Sequence, residues 1–344
     1  MDKLFEEYLS TRTVKEATKD GYRKKLIILY NRITNTSNNN LSEIPSDLHF
    51  LDDVKFTLSQ IDDLAKSTIK TYLAIISPLL KFKNTSNSIK LSEEYGEILM
   101  SLNESIQKTT QLQLTNDKLK DSWVDFNEIV DKYDEYVENV GNYGLSIDNM
   151  DKNNNAFIAL SFLLLFVPRR VCSLAYMKIG FVDELTNIDD IYNEDVMDFN
   201  YILLNVEESS AKLVMKNYKT NKIYGIQEFT LSNRLFKLLY SFISTRKRPL
   251  KDNEEQFQFL LEKRVGNSLS NLPYTSSAIS LLIKTFLSTE LDVKGISSKD
   301  LRTIYVSTFY NTGKRKYITD IQQEAYKLGH SVNEFNNSYV KKDI

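Results

Sequence analysis

The sequence predicts a mainly α protein: a small all-helical domain followed by a larger α+β domain with a small antiparallel three-stranded sheet. Three observations support this fold class. The length of 344 residues suits two domains. Apolar residues recur at helical spacing along most of the chain. The one clear β region, residues 201–231, holds three short β-rich runs separated by turn-like segments.

Helical spacing is clear in two N-terminal segments, 13–33 and 66–83, where apolar residues recur every three or four positions. The first half of the second segment also carries Lys66, Lys70 and Thr71. A basic helix face rich in hydroxyls can lie along a phosphate backbone, or it can simply be solvated. The residues themselves leave both readings open.

A polar stretch without an apolar face, residues 107–123, separates these helices from the rest of the chain. We therefore expect a first domain over 1–112, a linker over 113–122 and a second domain over 123–344. Strands are expected at 201–205, 211–218 and 222–231. Further helices are expected at 125–143, 152–167, 232–247, 255–262, 275–290, 298–310 and 316–328.

Composition excludes several classes of protein. The sequence has no G-x-G-x-x-G and no G-x-x-x-x-G-K-[ST] motif, which argues against an enzyme built on a phosphate loop. Two histidines and one cysteine, Cys172, argue against a His/Cys metal site, so we expect no cofactor. A single cysteine also suits a reducing compartment. The charged N-terminus lacks an apolar signal core, so we expect no secretion. The longest apolar run, 156–168, is shorter than the ~20 residues that span a bilayer, so we expect no membrane association.

Charge is unevenly distributed. The net charge is −2, but residues 181–209 hold nine carboxylates and no Lys or Arg, which leaves +7 on the remainder. We interpret this acidic segment as a surface insertion. Basic clusters lie at 22–25, 244–251 and 313–317, and each of them alone is typical of a solvated helix face.

Two arginines, Arg169 and Arg170, directly follow the most apolar helix of the chain. Full burial of an unpaired arginine is costly, so such residues lie at an interface or bind an anion. An external phosphate could supply the missing negative charge.

A second pair of cations, Lys299 and Arg302, is expected on one face of the 298–310 helix, because residues three apart are neighbours on a helix. Ser297 and Asp300 resemble a capping box at its N-terminus, which favours anions. Lys219 falls between two predicted strands, in a hairpin turn where a lysine usually only keeps the edge soluble.

One of the two histidines, His330, lies nine residues before Tyr339, close to the end of the chain. On an unbroken helix, nine residues turn about 900° and rise about 13 Å, which puts the two side chains on opposite faces. Asn333, Asn336 and Asn337 lie between them, and asparagine favours helix ends. A break at these asparagines could bring His330 and Tyr339 together.

Taken in chain order, this Arg, Lys, Lys, Arg, His, Tyr series resembles the tyrosine recombinase (phage integrase) family. PRRVCSL resembles the family's first arginine box, with Arg170 as the catalytic arginine and Arg169 as the fallback. YKTNK, KDLRTIYVSTFY and LGHS resemble the other motifs, and the step from the histidine to the tyrosine matches; together they give Lys219, Lys299, Arg302, His330 and Tyr339. Two positions depart from the family: Lys299 replaces a usual histidine, and Ser173 replaces a usual acidic residue. Proteins of large DNA viruses or their mobile elements carry a similar series.

The resemblance implies a helical core-binding domain over 1–112 and a catalytic domain over 123–344. It implies a site-specific recombinase or integrase that cleaves and rejoins DNA through a 3′-phosphotyrosyl intermediate, without ATP or metal. In that reaction Arg170 and Arg302 would clamp the phosphate, with His330 as a further donor. Lys219 would protonate the leaving oxygen, while Lys299 would bond the phosphate or help manage the tyrosine proton.

The expected partner is double-stranded DNA, contacted also by Arg169, Lys66, Lys70 and Thr71. Self-assembly into a dimer or tetramer on DNA is expected, in an intracellular location such as a host nucleus or a cytoplasmic viral factory. Two alternatives stay open: a type IB topoisomerase, which uses a similar residue set, and a non-catalytic DNA-binding relative. The sequence leaves open the target site and the choice between integration, excision and resolution.

Overall fold

The computed structural model describes residues 2–14, 16–113, 115, 117–145, 152–182, 199–245, 257–265, 268–311 and 318–341. The chain divides into two compact units, Met1–Leu112 and Gln113–Ile344. Of the charged segments expected from the sequence, residues 183–198 of the acidic one and the basic stretches 246–251 and 313–317 lie outside the described residues.

The first unit is helical throughout its described secondary structure. It contains helices α1 Asp2–Ser10, α2 Glu16–Thr34, α3 Val54–Ser59, α4 Lys66–Lys83 and α5 Ser86–Gln111, with short 3₁₀ turns at Leu41–Glu43 and His49–Leu51. Helices α4 and α5 are joined through Asn84, whose φ of 58° lies in the left-handed region that asparagine tolerates. Thr85 then caps α5 by accepting a hydrogen bond from the Ser88 amide. The core between these helices includes Phe5, Leu73 and Tyr95.

The second unit combines helices with two sheets. Its helices are α6 Asp117–Asp121, α7 Phe126–Val140, α8 Lys152–Leu165, α9 Cys172–Ala175, α10 Asn221–Tyr224, α11 Asn233–Thr245, α12 Ser276–Thr289, α13 Ser298–Asn311, α14 Ile318–Leu328 and α15 Val332–Glu334, and a π-helix, Phe335–Tyr339, follows directly. Its strands are β1 Met177–Phe181, β2 Asn200–Asn205, β3 Ser210–Met215, β4 Gln227–Thr230, β5 Gln258–Phe259, β6 Glu262–Val265 and β7 Ser268–Pro273.

The main sheet has five strands in the order β4-β3-β2-β1-β5, and β6 and β7 form a separate two-stranded sheet. Strand β1 pairs parallel with β2, and the other pairs in the main sheet are antiparallel. Helix α8 is apolar around its circumference and is buried in the same core as β1 and α12. The loop that follows α8 carries Arg169 and Arg170, so this core fixes the position of both arginines.

The sheet corrects the predicted three-stranded antiparallel sheet. Strand β1 was missed because it is only five residues long and continues the apolar stretch that follows Arg170. The parallel pairing of β1 with β2 is also non-local, whereas the prediction rested on neighbouring runs. Of the predicted strand 222–231, the part that forms a strand is β4. Residues 222–224 belong to helix α10.

Two further sequence predictions change. The predicted helix over 255–262 is wrong where residues are described, because they form β5 and the start of β6, and Leu260 and Leu261 are buried. The expected linker 113–122 contains α6, whose Leu119 packs in the core of the second unit.

Candidate active site

A cavity of about 330 Å³ lies at the N-terminal ends of α12 and α13. It is lined by Arg170, Val171, Cys172, Ser276, Ser280, Ser298, Lys299, Arg302 and Tyr339. These nine residues include three cations and no carboxylate. The positive ends of the two helix dipoles add to that charge, so the cavity favours an anion. Four of the six expected catalytic residues therefore share one cavity.

Arg170 enters this cavity from the loop between α8 and α9. Its side chain is 21% exposed, and one terminal nitrogen, Nη2, lies 3.0 Å from Oε1 of Glu334. The same nitrogen lies 3.3 Å from Nδ1 of His330. Two groups from the C-terminal segment thus hold one corner of the guanidinium, while its residue lines the cavity.

Arg302 reaches the cavity from the first turns of α13. The residue is 4% exposed, and its Nε donates a 2.7 Å hydrogen bond to the Pro168 carbonyl. This bond ties α13 to the loop that carries Arg170. Burial lowers the pKa of Arg302, and the adjacent Tyr339 opposes that shift.

The N-terminus of α13 has the cap expected from the sequence. The Ser297 amide donates to the Asp300 carboxylate at 2.9 Å, and the Asp300 amide donates to the Ser297 hydroxyl at 3.4 Å. This reciprocal arrangement is a capping box and fixes where the helix begins. Lys299, one turn before Arg302, lines the cavity with an exposed side chain.

His330 and Tyr339 lie side by side, with ring centroids 4.9 Å apart. The helix break that allows this is at Gly329, whose φ is +70°, and not at the asparagines. Ser331 then caps α15 through the Glu334 amide, and Asn336 and Asn337 lie inside the π-helix that ends at Tyr339. The extra residue per turn of a π-helix changes the direction of the side chain that follows, a feature frequent at functional sites.

The Tyr339 segment is attached to its own unit. Ser307 of α13 donates a 3.0 Å hydrogen bond to the Tyr339 carbonyl and accepts one of 3.0 Å from the Lys341 amide. Gln113 donates to the Asn336 carbonyl on the preceding turn. Tyr339 itself is 9% exposed and packs with Phe335 and Val340. The phenol is therefore held beside the cavity by its own chain.

His330 is buried and surrounded by charge. Its ring is 1% exposed, and its Nδ1 lies 3.2 Å from Oε2 of Glu334. Burial lowers its pKa, the nearby Arg170 and Arg302 lower it further, and Glu334 opposes them. The imidazole is therefore neutral at pH 7.

Lys219 stays outside the cavity lining. It lies in the connection between β3 and β4, and its side chain is exposed. The connection is longer than the expected hairpin turn because it includes α10. Its next residue, Thr220, donates a 2.8 Å hydrogen bond to the Gly329 carbonyl, so the Lys219 turn contacts the His330 turn. The positive charge of Lys219 also helps to hold the pKa of Glu334 down, against the effect of burial.

Arg169, unlike Arg170, is absent from the residues that line the cavity. The residue is 2% exposed. Its guanidinium donates a 2.7 Å hydrogen bond to the Gln227 side chain and lies 5.2 Å from the Tyr218 ring and 5.6 Å from the Phe229 ring. Burial lowers its pKa to about 10. The geometry does not support the expected contact of Arg169 with DNA, because its guanidinium is enclosed by two rings and Arg169 is absent from the residues that line the cavity.

Sequence reasoning missed two residues that organise the site. Asn200 is fully buried and uses both ends of its amide. It donates to the carbonyls of Ser173 at 2.8 Å and Asn217 at 2.9 Å, and it accepts from the amides of Lys216 and Asn217 at 2.9 and 2.8 Å. It thereby joins the Lys219 connection to the segment that follows Arg170. No sequence motif marks this asparagine.

Glu334 is the second missed residue. Ser331 and Glu334 have the spacing of a capping box, which predicts that Glu334 bonds the Ser331 amide. Its carboxylate contacts Arg170 and His330 instead. Ser173, where the resemblance expects an acidic residue, is buried and carries no charge. The carboxylate beside Arg170 thus comes from the C-terminal segment.

The expected DNA-binding residues of the first unit lie on α4. Lys66 and Lys70 are exposed, and Lys66 donates a 2.9 Å hydrogen bond to Ser105 of α5. The Thr71 hydroxyl donates to the Ser67 carbonyl of its own helix at 2.9 Å. In the basic cluster 22–25, Arg23 forms ion pairs with Glu6, Glu16 and Asp20, so its charge is already compensated.

Among the described residues, no group of three or more His, Cys, Asp and Glu side chains is placed to hold a metal ion. None of the described helices combines the length and apolarity needed to cross a membrane.

Comparison with known proteins adds little to what this geometry indicates about function. No family model and no curated protein matches the chain. Among solved structures, the crystal structure of XerA recombinase is similar over 99% of this chain and 93% of that chain, at 14% identity and a TM-score of 0.37. A TM-score this low says nothing about function. Any proposal about function therefore rests on the residues around the cavity.

Proposed function

We propose that this protein is a tyrosine-type DNA strand transferase, a site-specific recombinase or integrase that acts on double-stranded DNA. The observation that carries the proposal is the cavity shared by Arg170, Lys299, Arg302 and Tyr339. Three cations around a concave surface suit a phosphodiester, and a phenol at the same surface supplies a nucleophile. These are the groups that the resemblance to tyrosine recombinases assigns to catalysis.

In the proposed reaction, Oη of Tyr339 attacks a backbone phosphorus. The P–O5′ bond breaks as the P–Oη bond forms, which leaves a 3′-phosphotyrosyl link and a 5′ hydroxyl. Negative charge grows on the two nonbridging oxygens during attack. Arg170 and Arg302 would stabilise that charge, and such stabilisation usually contributes more to enzymatic rate enhancement than any other effect.

Proton transfers complete the reaction. The phenol of Tyr339 must lose its proton as it attacks, because the oxygen forms a new bond to phosphorus. The departing O5′ must gain a proton, and we assign this role to Lys219. Its turn touches the His330 turn, but its side chain is exposed outside the cavity lining. The β3–β4 connection must therefore move towards bound DNA before Lys219 can act as the acid.

The link to Tyr339 stores the energy of the broken bond, so rejoining by a DNA 5′ hydroxyl requires no ATP. The first unit would add DNA contacts through Lys66 and Lys70, both exposed on α4. We further propose, from the resemblance alone, that the protein assembles into a dimer or tetramer on DNA and works inside a cell.

A trapping experiment tests the proposal. Wild-type protein is incubated with a library of nicked duplexes of random sequence, in which cleavage releases a short fragment and prevents rejoining. We expect an SDS-resistant protein–DNA adduct, whose sequenced junctions give the target site. Tyr339→Phe should form none, whereas Tyr310→Phe, a matched change on α13, should behave as wild type. Absence of a wild-type adduct, or an adduct with Tyr339→Phe, would contradict the proposal.

The same preparation separates recombinase from topoisomerase. If monomeric protein relaxes supercoiled plasmid that lacks the trapped sequence, the type IB topoisomerase reading replaces the recombinase reading. If relaxation requires the trapped sequence, the recombinase reading stands.

A further inference from the structure

Glu334 contacts two groups of the candidate site from outside its cavity. Its Oε1 lies 3.0 Å from Nη2 of Arg170, and its Oε2 lies 3.2 Å from Nδ1 of His330. Glu334 is absent from the residues that line the cavity, whereas Arg170 is among them. The carboxylate therefore bonds one corner of the guanidinium and leaves the cavity free for a ligand.

The position of the imidazole proton follows from these contacts. If Nδ1 carried a lone pair, that lone pair would face the Glu334 oxygen at 3.2 Å and the two would repel. If Nδ1 carries the proton, it donates to Oε2 while Arg170 donates to Oε1, and both donors share one carboxylate. The 3.3 Å hydrogen bond from Nη2 of Arg170 needs a lone pair on Nδ1 and competes with this arrangement. The shorter contacts of the Glu334 carboxylate, at 3.0 Å to Arg170 and 3.2 Å to Nδ1, favour the proton on Nδ1.

The other ring nitrogen is consistent with this arrangement. Nε2 of His330 is buried and has no hydrogen-bond partner among the described residues. With the proton on Nδ1, Nε2 carries a lone pair, so it can accept a hydrogen bond but cannot donate one. The Tyr339 ring lies beside the imidazole, with ring centroids 4.9 Å apart.

We propose that Glu334 is a positioning residue that orients Arg170 towards the cavity and keeps the proton of His330 on Nδ1. His330 then acts as an acceptor, and not as the phosphate donor that the resemblance implies. The catalytic part of this inference rests on the proposed function, but the tautomer does not.

The tautomer can be measured without DNA. The chain has two histidines, His49 and His330. Full-length protein labelled with ¹⁵N-histidine would give long-range ¹H–¹⁵N correlations, assigned with His49→Gln. At pH 7 we expect His330 to show a protonated Nδ1 and an unprotonated Nε2. In Glu334→Ala the proton should move to Nε2, because Arg170 can then donate to the free lone pair of Nδ1.

A matched control is Glu228→Ala, which removes another partly exposed carboxylate that pairs with a lysine, Lys212, at 3.4 Å. It should leave the His330 signals unchanged. A wild-type spectrum with the proton on Nε2 overturns the proposal by itself, even if Glu334→Ala fails to fold. An unchanged tautomer in folded Glu334→Ala overturns it as well.

The catalytic part is tested with the trapped substrate. We expect Glu334→Ala to lower the single-turnover rate of adduct formation by about 10- to 100-fold, as loss of an orienting partner does elsewhere, with DNA affinity unchanged. Equal rates for Glu334→Ala and wild type would refute the positioning role while leaving the proposed function intact. If wild type forms no adduct, the proposed function fails and the spectrum still decides the tautomer.

Discussion

Arg169 and Arg170 are neighbours in sequence but lie in opposite environments. Arg169 is 2% exposed, is bonded to Gln227 and is enclosed by two aromatic rings. Arg170 lines the cavity and is held at one corner by the C-terminal segment. The loop after α8 thus places one arginine in the interior of the fold and the other at the cavity. Burial alone does not separate the two environments, because Arg302 is also buried and yet lines the cavity.

The largest expected effect is on the Arg170 side. Arg170→Ala should lower the rate of adduct formation by about 10²- to 10³-fold, because one donor to the developing charge is lost. Its melting temperature should change little, since the side chain is partly exposed. Single-turnover trapping measures the rate of adduct formation, and thermal unfolding measures the melting temperature. Arg234→Ala, which breaks an ion pair with Asp134 elsewhere in the unit, is the control and should keep the wild-type rate.

On the Arg169 side the expected effect is on stability. Arg169→Ala should lower the free energy of unfolding by about 2–4 kcal/mol, because it leaves a cavity and removes the donor to Gln227. Urea denaturation of this variant beside Arg170→Ala measures the contrast. If the two variants lose the same stability, the distinction between the two arginines fails.

Gly329 lies against Arg169 and directly precedes His330, and its substitution should lower the free energy of unfolding by less than Arg169→Ala does. Gly329 has a φ of +70°, and an added Cβ would lie 3.0 Å from Nη2 of Arg169. Gly329→Ala should lower the free energy of unfolding by about 1–3 kcal/mol through backbone strain and this contact. Gly225 also has a positive φ but has nothing within 4 Å, so Gly225→Ala isolates the strain. Equal losses would show that the contact with Arg169 adds nothing.

The smallest expected effect is the pH dependence of stability that arises from His330, which contacts Arg170. The pKa of His330 is below its ordinary value of 6.5 in the folded protein, so the unfolded chain binds more protons between the two values. Stability should therefore fall as pH drops, by about 1–2 kcal/mol from this group between pH 6.5 and 5. The charged groups facing His330 are Arg170, Arg302 and Glu334.

His330→Gln tests this assignment. Urea denaturation at several pH values should show a shallower loss of stability for the variant than for wild type. Glu334, whose pKa is also lowered, would contribute mainly below pH 4.5. Parallel pH dependences for variant and wild type would remove His330 as the cause.

Local features of the fold could be predicted from the sequence. Helix α4 begins and ends where the apolar spacing predicted, and the Ser297–Asp300 capping box marks the start of α13. Such features depend on contacts within a few residues. Strands β1 and β5 were missed, because they have only five and two residues and the parallel pairing of β1 with β2 joins distant segments.

The candidate site was predictable in composition but not in arrangement. Cations and a phenol could be named from spacing and resemblance, and Arg170, Lys299, Arg302 and Tyr339 line one cavity. The different environments of Arg169 and Arg170 could not be predicted from the sequence, since the rings that enclose Arg169 come from Tyr218 and Phe229, far along the chain. The role of Glu334 could not be read from the sequence, because it depends on contacts with Arg170 and His330 that the fold creates.

The central claim is that Arg170 and Arg302 face one phosphate site beside Tyr339. The most direct test is a crystal structure of the full chain grown with orthovanadate, an analogue of phosphate in transfer. We expect one vanadate in the cavity, with its oxygens bonded by both guanidiniums and its vanadium facing Oη of Tyr339. Vanadate bound elsewhere, or guanidiniums that do not converge on one anion, would contradict the claim.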